Sequence, residues 1–219
     1  PIRLTSPPFY NPFAGKEEGH AVAPGTYSVT MYEYTGKEMK KLADPVKFKV
    51  EALDIYTMPP TQPEELVKFK KDVARLQGAI QGTGTILSDI TNELKHVRKA
   101  ISRTEVDEFS FLTRIITIEN DIRDLRIKLY GDRIASRLDM PEKPSIAGMV
   151  GSITYESKNA TSNPTKTHQD LYQRAKKGYA AFAKEVSDLL DEKVIPLRRD
   201  IQAAGAPYTP NALPEVIKF

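Results

Sequence analysis

The chain has 219 residues, 40% of them hydrophobic, which is enough for one or two domains with a substantial core. It has no cysteine, which excludes disulfides, thiolate metal sites and a thiol nucleophile. Its 32 Lys and Arg interleave with 29 Asp and Glu to leave a net charge of +3, so the field that gathers nucleic acid or an anionic membrane is missing.

Residues 1–23 are rich in Pro and aromatics. Pro7-Pro8-Phe9-Tyr10-Asn11-Pro12-Phe13 breaks regular structure repeatedly and favours an extended path pinned by its rings. From Pro24-Gly25 the period becomes two: Tyr27, Val29 and Met31 face one way, a turn falls near Thr35-Gly36, and Val46, Phe48, Val50 and Ala52 repeat the alternation. This is a β-hairpin or part of a small β-sandwich, and residues 1–58 are read as one region. Two strands alone are marginal in water, so the hairpin needs more strands, the helices, or a neighbouring domain. Together with the lack of an initiator Met, this makes a piece of a larger protein the expectation.

Residues 59–219 read as helical. A seam of Leu66, Phe69, Val73, Leu76, Ile80, Thr83, Leu87, Ile90, Leu94, Val97 and Ile101 predicts a helix over 61–102, a rod of about 60 Å. Thr61 and Glu64 have capping-box spacing and Pro63 lies in the first turn. Gly78, Gly82 and Gly84 mark a bend or a close helix approach rather than a phosphate loop, since no Gly-Lys-Ser/Thr follows. The stripe Phe111, Ile115, Ile118, Ile122, Leu125 and Leu129, ended by Gly131, predicts a second helix over 105–130, antiparallel to the first. Ile146, Met149, Val150, Ile153 and Tyr155 predict a short helix over 145–155. The third long helix, over 165–204, carries Tyr172, Ala175, Tyr179, Phe182, Val186, Leu189, Val194, Leu197 and Ile201, with a kink expected at Pro196. The fold class is therefore mainly α with a small β part: an elongated antiparallel three-helix bundle preceded by the hairpin or partial sandwich, and followed by a Pro-rich tail.

Chemistry is scarce. His20, His96 and His168 are far apart and none has a partner at metal-ligand spacing. No Gly-x-Ser-x-Gly elbow is present, and the acids lie mainly on polar helix faces, so no carboxylate pair stands out. No catalytic residue, metal ligand or cofactor is assigned. Lys40-Lys41, Lys70-Lys71, Lys176-Lys177 and Arg198-Arg199 read as solvated faces, and Asn159-Ala160-Thr161, a glycosylation triplet, as a polar loop. Phe9, Tyr10, Phe13, Tyr32, Tyr34 and Tyr208 lie outside the helical seams and form the candidate interaction surface. Such rings stack on sugars, anchor a neighbouring domain, or fill the junction between sheet and bundle. No apolar run approaches the ~20 residues of a membrane span.

The segments Pro24-Gly25-Thr26-Tyr27-Ser28-Val29 and Val46-Lys47-Phe48-Lys49-Val50 resemble the last hairpin of the small β-sandwich that follows the propeller in large bacterial sortilin-like proteins with Asp-box (BNR) repeats. Val73-Ala74-Arg75-Leu76-Gln77, Leu129-Tyr130-Gly131-Asp132, Pro144-Ser145-Ile146 and Ala204-Gly205-Ala206-Pro207-Tyr208-Thr209-Pro210 are similar to landmarks of their C-terminal helical region, in the same order. Glu51-Ala52-Leu53 stands where that family has Asp-Pro-Arg, and Pro210-Asn211 where Pro-Gly is common. The resemblance implies a periplasmic or extracellular accessory domain of a glycosyl hydrolase or glycan-binding propeller. Its partners would be the upstream propeller and sandwich domains, with carbohydrate bound through the parent. The alternatives are a free-standing helical adaptor or oligomerisation protein, and a hydrolase with a site at the sheet–bundle junction.

Overall fold

A computed structural model describes residues 22–53, 61–158 and 160–206. The chain is mainly helical with a small antiparallel strand part. It divides into two compact units, one of Pro1–Val73 with Glu156–Lys166 and the other of Ala74–Tyr155 with Thr167–Phe219.

The first unit holds four short strands: β1 (Gly25–Val29), β2 (Tyr32–Tyr34), β3 (Met39–Lys41) and β4 (Val46–Val50). β1 pairs antiparallel with β4, setting Tyr27 opposite Phe48 and Val29 opposite Val46. β2 pairs antiparallel with β3, setting Tyr34 opposite Met39. Thr35–Glu38 closes the tip, where Thr35 N–H donates to the Glu38 carbonyl (3.2 Å) and Gly36 takes φ +87°; a left-handed conformation of this kind favours Gly. Between the two paired stretches one strand spends residues 30–31 and the other 42–45. Pro45, which has no N–H for a ladder, falls in this longer side. Ala52 lies beyond the end of β4.

The same unit contains the opening turns of helix α1 (Pro63–Ile101). Because the helix begins at Pro63, Thr61 is too far out for the expected capping box. Its hydroxyl instead accepts a hydrogen bond from Asn163 Nδ2, and Lys70 Nζ donates to the Ala160 carbonyl (2.8 Å). Leu66 and Val73 are buried, while Phe69 is only half-buried.

The second unit contains the rest of α1 with α2 (Glu108–Tyr130), α3 (Arg133–Arg137), α4 (Ile146–Ser157) up to Tyr155, α5 (Lys166–Leu189) from Thr167, and α6 (Ile195–Ala203). α2 starts where the Asp107 side chain accepts from Ser110 N–H, and stops at Gly131 (φ 90°), whose N–H returns to the Ile127 carbonyl. Its seam residues Ile115, Ile118, Ile122, Leu125 and Leu129 are all buried. So are Ile146, Met149, Val150 and Ile153 of α4. Tyr155 departs from expectation and is 87% exposed, because it falls two residues after Ile153 and therefore on the far side of the helix.

Side-chain pairs give the helix directions. Arg98 reaches Glu119 and Arg126 reaches the Leu87 carbonyl, so α2 descends as α1 rises. Tyr179 donates to the Ala79 carbonyl and Arg198 pairs with Glu93, so α5 and α6 run parallel to α1. Lys128–Glu185, Asp121–Lys193 and Arg114–Asp200 tie α2 antiparallel to that same chain segment.

The expectation for the three glycines of α1 is narrowed. Gly78 and Gly82 have open space where a side chain would be; the close approach is confined to Gly84, above which the Tyr130 hydroxyl lies 2.0 Å from where a Cβ would sit. The kink expected at Pro196 falls where the helix departs from regular α geometry. A π turn (Leu190–Val194) precedes α6, with Ile195 N–H bonded to the Leu190 carbonyl. Widening the helix by one residue here separates the proline ring from the carbonyl it would otherwise strike. The signal was a step of five between the buried residues Leu189 and Val194, where every other step in that seam is three or four except the longer one from Ala175 to Phe182 that passes half-buried Tyr179. α3 was not anticipated; Asp132 nucleates it by accepting from Ile134 and Ala135 N–H.

Candidate interaction surface

β1 and β4 make a two-stranded ribbon whose faces are chemically unlike. By strand alternation Tyr27, Val29, Val46, Phe48 and Val50 share one face, and Thr26, Ser28, Lys47 and Lys49 share the other. Tyr27 and Phe48 stack with ring centroids 6.1 Å apart, and the Tyr27 hydroxyl donates to the Ala23 carbonyl (2.8 Å). Tyr27 and Val50 are half-buried and Phe48 is 39% exposed. Val29 and Val46 are 59% and 64% exposed.

The tip of the ribbon is equally open. Tyr32 and Tyr34 lie two apart on β2 and therefore on one face, and both are exposed. The Tyr34 hydroxyl donates to the Gly36 carbonyl (3.1 Å), which holds its ring against the turn. Neither ring fills a core. Of the other candidate aromatics, Phe9, Tyr10, Phe13 and Tyr208 lie outside the described residues, as do His20 and Asn159. Sequence reasoning did not anticipate that Val29, Met31, Met39, Leu42 and Val46 would be exposed; alternation identifies an apolar face but not its cover.

The second unit offers a contrasting polar feature. Glu93 is 4% exposed and takes two hydrogen bonds from Arg198, Nε to Oε1 at 2.5 Å and Nη2 to Oε2 at 2.6 Å. The Glu93 hydrogen bond, opposed by burial, raises the Arg198 pKa above its ordinary value. This corrects the reading of Arg198 as a solvated residue, and makes Glu93 a buried exception among acids that lie mainly on polar helix faces. A carboxylate bound on both oxygens by a fork of this kind is spoken for as a structural partner and is poorly placed to accept a substrate proton.

His96 is exposed and His168 half-buried. Among the described residues no group of three or more His, Asp or Glu is placed to hold a metal ion, and no buried side-chain polar atom lacks a hydrogen bond. No helix among them is long and apolar enough to cross a membrane. The arrangement can therefore bury apolar surface and pair backbone groups along the ribbon. No family model, curated protein or solved structure matches this chain.

Proposed function

We propose that this chain is a non-catalytic structural and interaction module. In this reading its helices form an elongated three-helix bundle, with α2 and α4 as successive parts of one leg, and its ribbon docks a neighbouring domain. The observation that carries the reading is the open apolar face of the ribbon, with Val29 and Val46 each more than half exposed on a sheet of two strands. Two strands do not stabilise one another sufficiently in water, so covering that face is favourable at about 25 cal/mol per Å2 of apolar surface. The helix directions given by the Arg98–Glu119, Arg198–Glu93 and Lys128–Glu185 pairs support the bundle.

The setting proposed is the one the sequence resemblance implies: the periplasm or the cell exterior, and a glycosyl hydrolase or glycan-binding propeller protein whose domains the module holds and spaces. Two measurements test the role. An environment-sensitive apolar dye should bind the chain, and Val46→Thr with Phe48→Ser should abolish that binding while leaving helix content intact. Failure of the dye to bind means the face is covered and the docking role is wrong. Incubation with a glycan panel should give no turnover, and turnover lost on substituting a residue of this chain would overturn the non-catalytic reading.

A further inference from the structure

We infer that the outer edge of β4 is a strand-addition site for an extended acidic polypeptide whose side chains alternate between apolar groups and carboxylates. This rests on the docking role proposed for the ribbon and names the chemistry of its partner.

Among the described residues β4 is hydrogen-bonded to β1 alone. Its other edge therefore carries a row of outward N–H and C=O groups, the template that an added strand uses. The ladder with β1 is unbroken from Gly25↔Val50 to Val29↔Val46, so no bulge interrupts the edge, and no proline lies within Val46–Val50. A strand added there must place apolar side chains beside Val46, Phe48 and Val50, and on the opposite face it meets Lys47 and Lys49. Carboxylates at those positions neutralise both lysines. Lys49 already pairs with Glu51 at 2.8 Å, with the two side chains 72% and 69% exposed. A pair that exposed contributes little and exchanges readily for a carboxylate on an incoming strand.

The same lysines argue against a second copy of the chain. Antiparallel pairing of two β4 strands about Phe48 sets Lys47 of each opposite Lys49 of the other, which places like charges directly across from one another twice. The outer edge of β1 has no comparable preference, since its polar face carries only Thr26 and Ser28. Lysines on an edge thus repel self-association while selecting an acidic strand.

The test uses the full chain and a capped nonapeptide alternating Val and Glu, with Val/Lys and scrambled Val/Glu peptides as controls. Fluorescence anisotropy measures binding and amide hydrogen exchange locates it. The Val/Glu peptide is expected to bind and to slow exchange of the outward amides of β4 by tenfold or more, while the controls do not. Lys47→Glu with Lys49→Glu, both at exposed positions, should reverse the preference toward the Val/Lys peptide by roughly tenfold. Absence of binding, binding unmoved by the charge reversal, or slow exchange at those amides before peptide is added would each overturn the proposal. If the dye binds the ribbon face and the peptide does not, the edge site fails and the docking role stands; if the dye does not bind, the docking role itself fails.

Discussion

The ribbon and α2 both use regular alternation of apolar side chains, yet they end in opposite environments. Ile115 and Leu129 of α2 are fully buried because α1 and α5–α6 lie alongside, whereas Val46 of β4, at an equally regular position, is 64% exposed. Periodicity declares which face seeks cover. Only a partner of matching length supplies it, and for α2 that partner is in the same unit. The ribbon therefore differs from the helices in energetics, with cross-strand pairs contributing about 0.2–1 kcal/mol each, against 2–5 kcal/mol lost when a buried aliphatic side chain is cut to Ala.

The largest effect expected from breaking this contrast is in the helical core. Ile153→Ala, at a position with 0% exposure, should cost about 2–5 kcal/mol in chemical denaturation, while Val46→Ala should stay within about 0.5 kcal/mol. Equal costs would mean that the ribbon face is covered. Next is Arg198→Met, which leaves the buried Glu93 carboxylate without its guanidinium. Loss of one partner of a fully buried pair costs about 3–5 kcal/mol, and because Arg198 is 35% exposed the expected loss is smaller, about 2 kcal/mol. Replacing both residues with Leu should recover most of it. A folded-state pKa raised above the unfolded one contributes stability below the unfolded value and loses it as pH rises through the folded one; for Arg198, whose pKa is raised above the ordinary guanidinium value, that window lies in strongly alkaline solution. The Tm difference between the chain and Arg198→Met should accordingly be flat from about pH 7 to pH 10, and a slope there would assign the effect to another group.

Smaller effects separate the three glycines of α1. Gly78→Ala and Gly82→Ala meet open space and should each stabilise by about 0.5–1 kcal/mol through helix propensity. Gly84→Ala should gain nothing, because the Tyr130 hydroxyl must swing away, and a Tyr130→Phe background should restore part of the gain. Urea unfolding followed by helix circular dichroism distinguishes these cases. Finally, amides of β1 and β4 should exchange faster than those of α2 by several orders of magnitude, since their hydrogen bonds lie close to solvent.

The helical seams were legible because Leu87, Ile90, Leu94 and Val97, or Ile115, Ile118 and Ile122, repeat in steps that only a helix face satisfies. Gly131 was legible as a stop, and it adopts the positive φ that its position requires. Glu93 was not legible, since its burial depends on Arg198, which is remote in sequence, and nothing near either residue signals the other. Tyr32 and Tyr34 were recognised as lying outside the helical seams, but their exposure depends on what covers β2, which alternation does not encode. Asp132 could have revealed α3, as an acid placed to cap two amides immediately after a helix stop.

The π turn at Leu190–Val194 has a consequence for the angular phase of the segment that follows it. A helix advances about 100° per residue, so one residue more or fewer before α6 rotates everything downstream by that angle. Val194, Leu197 and Ile201 return to the seam because the turn absorbs an extra residue. Arg198 comes round to Glu93 by the same adjustment. The π turn is thus a phase shifter, and both the apolar seam and the buried ion pair beyond it are kept in step by a single count.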